Sequence, residues 1–201
     1  MKKIKILLLA AALLSGASAF AQQNWNAGVG YATTSFHGAD CSQFLIKHPL
    51  HGFYAGVSHE FYFSALAGLT FEPGAYFYYQ SGRNADATPK YIKMHYLSLP
   101  LDVKYTFNVT TGATAAFFTG PVFNLGLFGN LYSKNVFETN KDVSDPSRQL
   151  TQANLQWNIG AAVTIADAVQ IRVRYAFGIS RLIPEQEVHS NTLSLGLGLL
   201  F

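Results

Sequence analysis

The chain alternates between apolar and polar or small residues over long stretches. In residues 155–165 the odd positions are Leu, Trp, Ile, Ala, Val and Ile, and the even positions are Gln, Asn, Gly, Ala and Thr. Residues 169–180 and 191–201 repeat this pattern. A period of two is typical of β-strands that present one apolar face and one polar face. We therefore predict a strand in each of these three segments.

Five earlier segments show the same period less regularly and bring the predicted number of strands to about eight. They are residues 24–35, 52–63, 67–80, 94–107 and 115–128. The connections alternate in length. Short connections lie near residues 64–66, 108–112 and 166–168, and long polar ones at about 37–50, 82–93, 130–153 and 181–190.

An even number of strands with alternating short and long connections is typical of outer-membrane barrels. We predict an all-β fold, a single antiparallel up-and-down transmembrane β-barrel. In this topology both termini and the short turns are periplasmic, and the long loops are extracellular. The predicted localisation is the cell outer membrane, as an integral protein whose first partners are the surrounding lipids.

The distribution of residue size between the two faces distinguishes this fold from a soluble barrel or sandwich. Most glycines share the even positions with the charged residues, whereas Leu, Ile and Val dominate the odd positions of the last three strands. Small residues leave room for long polar side chains in a narrow interior, and an apolar odd face suits lipid. A soluble β-sandwich or a lipocalin-like barrel would place its apolar face inside.

The N-terminal segment has the features of a secretory signal peptide. Lys2, Lys3 and Lys5 precede an apolar run from Ile6 to Leu14, and small residues follow as far as Ala21. This apolar run is too short to span a bilayer as a helix. We predict a signal peptide at residues 1–21 and one barrel domain at residues 22–201.

Removing that segment changes the charge of the chain. The full sequence has a formal net charge of +3, with 14 basic and 11 acidic residues. Three of the basic residues lie before Ala21, so the remaining domain has 11 of each sign. A neutral domain gives no support to a nucleic-acid partner.

Several segments resemble a known family. Residues 96–105, Tyr-Leu-Ser-Leu-Pro-Leu-Asp-Val-Lys-Tyr, are similar to a strand motif of the PorT-like outer-membrane β-barrel family. The pair Gly120-Pro121 and the alternating end at Phe201 are similar as well. The resemblance implies an eight-stranded barrel in the outer membrane but no particular activity. Phe201 also resembles the terminal signal that the barrel assembly machinery reads, which makes this machinery an expected partner; a membrane-interface aromatic is the alternative.

Charged residues at even positions are predicted to meet inside the barrel, at similar depth above the short turns. They are Glu60, Glu72, Asp102, Lys104, Arg172 and Arg174. An isolated charge in a narrow lumen is poorly solvated, so we expect the three acids and three bases to pair. The prediction is a salt-bridge network that plugs the interior, rather than a catalytic site or an ion path.

Enzymatic activity has little support in the sequence. Small outer-membrane hydrolases use a His and a Ser one residue apart on a strand, and no His-x-Ser spacing occurs here. Ser58-His59 and His189-Ser190 are adjacent, so their side chains point to opposite faces of a strand. We predict no catalytic residues.

Imidazole and thiol groups occur in two predicted loops. The first long loop contains His37, Cys41, His48 and His51, and the fourth contains His189. These groups bind zinc, copper or haem in many proteins, but their spacing here matches no compact metal motif. We expect solvated loop residues and no cofactor, with a metal site kept as the alternative.

The predicted function is that of a small non-enzymatic outer-membrane barrel whose long loops bind a ligand or shield the surface. Two alternatives stay open. One is a lipid-modifying outer-membrane enzyme, and the other is a component of a larger envelope or secretion assembly, which would add an envelope protein as a partner.

Overall fold

The computed structural model describes residues 24–39, 48–63, 66–83, 91–131, 134–135, 150–183 and 186–201. The predicted signal peptide and Cys41 lie outside the described residues. Within the described part of the chain, no helix has the length and apolarity required to cross a membrane.

Eight long strands make up the fold, as predicted. They are β1 (Trp25–His37), β2 (Leu50–His59), β3 (Leu69–Arg83), β4 (Tyr91–Thr110), β5 (Ala113–Leu131), β6 (Ala153–Ile165), β7 (Val169–Gly178) and β8 (His189–Leu200). Two short segments, Phe61–Tyr62 and Lys134–Asn135, pair with β3 and β5. The strands β4 and β5 extend several residues beyond their predicted ends at the long-loop side.

Each strand pairs antiparallel with its neighbours in sequence, and β1 pairs with β8. Val29 lies opposite Leu197 in this closing ladder and opposite Ala55 in the β1–β2 ladder. Closure leaves no free edge, so the backbone polar groups of the strands are satisfied within the barrel. The predicted fold class is confirmed.

The short turns and both ends of the described chain lie at one end of the barrel, which we call the turn end. Trp25 N donates to Phe201 O at 3.0 Å, and Phe201 N donates to Trp25 O at 2.9 Å. The β6–β7 turn has φ of 52° at Ala166 and 53° at Asp167. Two successive left-handed residues are characteristic of a type I′ hairpin turn, whose twist matches that of the strands. The opposite end, from which the long connections leave, is the loop end.

The two faces of each strand differ as the period of two predicts. On β7 the even positions from Gln170 to Ala176 are buried, and the odd positions from Val169 to Phe177 are exposed. The exposed side chains form an apolar belt around the barrel. It includes Trp25, Phe53, Phe61, Phe77, Tyr105, Phe107, Trp157, Leu195 and Leu197.

Prolines inside the strands leave the register unchanged. Ladder pairs are missing next to Pro73 and Pro100, but the same register resumes on both sides. The register shifts instead between His95 and Tyr96 and near the β4–β5 turn. The first shift adds one residue to β5, so that Phe128 is exposed and Gly129 is buried.

Candidate functional site

The interior of the barrel contains all six charged residues of the even face. Glu72 and Asp102 are register partners on β3 and β4, and Lys104 follows one inward position nearer the turn end. Arg172 and Arg174 lie on β7, across the lumen. The structure therefore brings together residues that are about 100 positions apart in the sequence.

One continuous chain of ion pairs joins four of these residues. Lys104 Nζ lies 2.5 Å from Glu60 Oε1 and 3.4 Å from Glu72 Oε2. Arg172 Nη2 donates to both carboxylate oxygens of Glu72, at 2.6 and 2.7 Å. All four side chains are less than a tenth exposed. Glu72 is thus held between two cations.

A second ion pair lies beside this chain. Arg174 Nη2 donates to Asp102 Oδ2 at 2.7 Å. The other carboxylate oxygen accepts from Asn158 Nδ2, also at 2.7 Å. The Asn158 amide is itself fully buried and reaches the carbonyl of Gly120 at 3.1 Å. Both oxygens of Asp102 are therefore engaged.

Neutral side chains extend the network. Ser58 Oγ donates to Glu72 Oε1 at 2.6 Å and accepts from the hydroxyl of Tyr76 at 3.1 Å. On the other side, Arg172 Nε donates to Gln170 Oε1 at 3.1 Å. Buried charges are tolerated when such bonds replace lost hydration.

Aromatic rings pack against the two guanidinium groups. The Arg172 Cζ atom is 4.8 Å from the ring centre of Phe118, and that of Arg174 is 5.3 Å away. Arg174 also lies 5.7 Å from the ring of Tyr76. A guanidinium stacks favourably on an aromatic face. The arginines are thus held by both carboxylates and aromatic rings.

The six interior charged residues form what we call the charged layer. A stack of tyrosines fills the lumen between this layer and the loop end. Tyr78 stacks on Tyr54 and Tyr96 with ring centres 5.0 and 4.8 Å apart. Glycines make room for these large groups: a Cβ at Gly196 would lie 2.0 Å from the Tyr54 hydroxyl. The predicted interior did not include this stack, although bulky aromatic residues at even positions are the signal for it in the sequence.

Cavities divide the lumen into unequal parts. At the turn end a cavity of about 740 Å³ reaches inward as far as Glu60 and Lys104. Around Arg172 and Arg174 the free space is about 10 Å³, which holds one water molecule at most. At the loop end a cavity of about 50 Å³ lies below Leu150 and Leu182.

An apolar cluster closes this loop-end cavity from above. Its buried members come from the strands β2 and β4 and from the segments next to β6 and β8. They are Leu50, Ile92, Met94, Leu150, Leu182, Ile183 and Val188. Thr151 N donates to Leu182 O at 2.7 Å and ties two of these segments together.

The histidines considered as metal ligands lie in different places. His37 and His189 are register partners at the loop ends of β1 and β8, with ring centres 5.6 Å apart. His51 Nδ1 lies 2.7 Å from the hydroxyl of Tyr31 on the outer face. His48 is exposed. Among the described residues no group of three His, Cys, Asp or Glu side chains could hold a metal ion.

The adjacent Ser-His pairs have opposite orientations. Ser58 is buried in the lumen, whereas the ring of His59 packs outside. In the second pair, Ser190 is buried and accepts from Gln156 Nε2 at 3.1 Å, and His189 lies on the outer face. Neither serine has the adjacent histidine within reach as a base.

An apolar outer belt around a filled polar interior, closed by eight antiparallel strands, defines a small transmembrane β-barrel protein. The chain belongs to the family described as outer membrane protein beta-barrel domain, whose profile matches residues 7–201. It is therefore an integral outer-membrane protein. No curated protein sequence matches it significantly.

Solved structures share the fold at low sequence identity. Neisserial surface protein A (NspA) superposes with a TM-score of 0.53 at 14% identity, covering 88% of this chain and 97% of that one. The outer membrane enzyme PagL gives a TM-score of 0.52 at 15% identity, covering 85% and 97%. Identities this low establish the fold alone.

Proposed function

We propose that this protein is a non-enzymatic outer-membrane barrel with a plugged interior, which acts through the long connections at its loop end. The observation that carries the proposal is the charged layer. Three acids and three bases neutralise one another inside the lumen, with free space of only about 10 Å³ beside the arginines. Such an interior blocks passage through the barrel, so the barrel supports the long connections and does not act as a pore.

The absence of free catalytic groups in this layer supports a non-enzymatic role. Glu60, Glu72 and Asp102 each accept from a cation, and a neutralised carboxylate is a weak general acid or base. Ser58 and Ser190 are buried in the lumen, away from their adjacent histidines. A nucleophile with a base in hydrogen-bond reach is needed for hydrolysis.

The loop end is the proposed working surface. The connections that leave it are long, whereas those at the turn end are short, and in outer-membrane barrels the long connections are extracellular. Accordingly both termini are placed in the periplasm, where the mature chain would begin after Ala21. The loops bind a ligand or shield the cell surface.

The PorT-like assignment is part of this proposal and rests on residues 96–105, which form the middle of β4. Fold likeness leaves other roles open, since one structural neighbour is a surface protein and another is an outer membrane enzyme. A lipid-modifying enzyme and a component of an envelope assembly are the two alternatives. Phe201, whose backbone pairs with Trp25, is the proposed signal for the assembly machinery.

Epitope tags test the orientation. A tag inserted near Asp142, in the third long connection, is expected to be labelled on intact cells. A tag near Asp167, in the β6–β7 turn, is expected to be labelled only after the outer membrane is permeabilised. The reverse result would place the loop end in the periplasm.

Two measurements test the role: mass spectrometry of envelope lipids from a deletion strain, and purification of the protein from native membranes in mild detergent. Mass spectrometry of the envelope lipids should show no difference between a deletion strain and its parent. Altered lipid A or phospholipid acylation would favour the enzyme, and a stoichiometric co-purifying protein would favour the assembly. N-terminal sequencing of the same sample should begin near Gln22.

A further inference from the structure

Two histidines form a cross-strand pair at the loop end of the β1–β8 seam. His37 is the last residue of β1 and His189 is the first of β8, and they are register partners. Their ring centres are 5.6 Å apart and the ring planes differ by 34°. Both side chains belong to the odd, outer face.

The separation of the rings matches that of two imidazoles on one metal ion. Zinc takes histidine nitrogens at about 2.0–2.1 Å in tetrahedral geometry, which places the two ring centres about 5 to 6 Å apart. The observed distance falls within this interval. The distance between the two rings is therefore compatible with one metal ion held by both imidazoles.

The hydrogen bond of His189 leaves one ring nitrogen available. His189 Nδ1 lies 3.1 Å from the carbonyl oxygen of Ser180. A carbonyl can only accept, so Nδ1 carries the hydrogen, and in the neutral ring Nε2 then keeps its lone pair. Histidines that bind metals are commonly fixed in this way, by donating their other N–H to a backbone carbonyl.

The backbone that supports the pair is held closely. A Cβ atom at Gly38, whose φ is +138°, would lie 1.7 Å from the carbonyl oxygen of Glu187. Only glycine permits this approach, which continues the seam just beyond the two histidines. The imidazoles therefore project from a fixed pair of strands rather than from a free loop.

The pair lies beyond the apolar belt and is accessible to water. In the β1–β8 ladder, the next pair on the outer face toward the turn end is Ser35 with Asn191, and the pair after that is Thr33 with Leu193. His37 is exposed. A metal ion could thus reach the rings from solution and retain water in its other coordination positions.

We propose that His37 and His189 form a two-histidine binding site for a divalent late transition metal ion, Zn²⁺ or Cu²⁺. Glu187, two residues before His189, contacts Arg181 at 3.1 Å, and the proposed site takes water in its other coordination positions. Imidazole suits both metals, and Cu²⁺ binds more tightly than Zn²⁺ to a given nitrogen site.

Titration of the full chain in detergent micelles with ZnCl₂ and CuCl₂, followed by calorimetry, tests the site. We expect one ion per chain, tighter binding of Cu²⁺, and nitrogen hyperfine structure from two imidazoles in the Cu²⁺ EPR spectrum. His37→Gln and His189→Gln should each lower the affinity at least tenfold.

Three variants serve as matched controls. His48→Gln, His51→Gln and Cys41→Ser change the other candidate ligands, and each should bind both metals as the wild type does. Wild-type affinity in His37→Gln, which replaces an exposed residue, would overturn the proposal. Loss of binding in Cys41→Ser or His51→Gln would overturn it as well, because the site would then lie elsewhere.

Discussion

The inner and outer faces of one strand can be compared residue by residue on β7. Arg174 is buried and donates to Asp102, whereas its neighbour Val173 is 44% exposed and points away from the lumen. In the lumen, each charged side chain needs a particular partner of opposite charge. On the lipid-facing side, a side chain only needs to be apolar. The effect of a substitution on the free energy of unfolding should therefore depend on the identity and geometry of the side chain on the inner face. On the outer face it should depend only on the polarity of the side chain.

The largest expected effect comes from removing both lumenal arginines. Arg172→Ala with Arg174→Ala leaves Glu72 and Asp102 without their guanidinium partners and gives the layer a net negative charge. Breaking one buried ion pair costs about 3–5 kcal/mol, so the free energy of unfolding in lipid vesicles should fall by at least that amount. Planar-bilayer recordings should also show a small conductance, because two long side chains no longer fill the lumen.

Arg181→Ala is the matched control for this double variant. Its partner Glu187 is more than half exposed, and surface ion pairs contribute little. The control should change the free energy of unfolding by less than about 1 kcal/mol. Unchanged unfolding and no conductance in the double variant would contradict the plug.

Two neighbouring aromatic residues on β3 allow the inner and outer faces to be compared with uncharged side chains. Tyr78 is stacked between two tyrosines in the lumen, whereas Phe77 is 43% exposed on the outer belt. Tyr78→Ala should lower the free energy of unfolding by about 3–5 kcal/mol, since it leaves a cavity among packed rings. Phe77→Ala should cost much less, because lipid chains can fill the space. Denaturant titration of both variants measures the difference, and equal losses would show that the outer ring is as tightly packed as the inner one.

A charge placed on the outer face should be costly at mid-membrane depth. Val173 lies near the middle of β7, between Ala161 and Leu195. Val173→Arg is expected to cost about 2–4 kcal/mol of unfolding free energy. Ala176→Ser, which adds a hydroxyl to the polar lumen, should have little effect. A mild Val173→Arg phenotype would mean that this face is not in contact with lipid.

The smallest effect is expected at the edge of the charged layer. Glu60 borders the large turn-end cavity, and Lys104 retains Glu72 at 3.4 Å when Glu60 is neutralised. Glu60→Gln should therefore cost only about 1 kcal/mol in denaturant titrations, close to one hydrogen bond. A loss as large as that of the double arginine variant would show that the four charges act as one unit.

The fold could be predicted because its determinants are local. Alternation along residues 155–165 or 169–180 needs no knowledge of the rest of the chain, and the turn residues separate one strand from the next. The parity of each residue identified which side chains face the lumen, including Glu60 and Arg174. The tyrosine stack was missed because the prediction filled the interior only with small residues and long polar side chains. Strand lengths were underestimated at β4 and β5, and near the loop end of β5 one extra residue at the register shift reverses the parity on which the prediction depended.

The sequence by itself determined the all-β class, the number of strands, the face that most strand residues occupy and the balance of three acids with three bases. Only the tertiary structure decided which acid meets which base, that Glu72 bridges Lys104 and Arg172, and that His37 meets His189. The physical reason is that parity is a property of one strand, since successive side chains alternate sides. Partnership across the lumen depends instead on the register of every ladder between the two strands. Because the barrel closes through the β1–β8 seam, those distances are fixed only when the whole ring has formed.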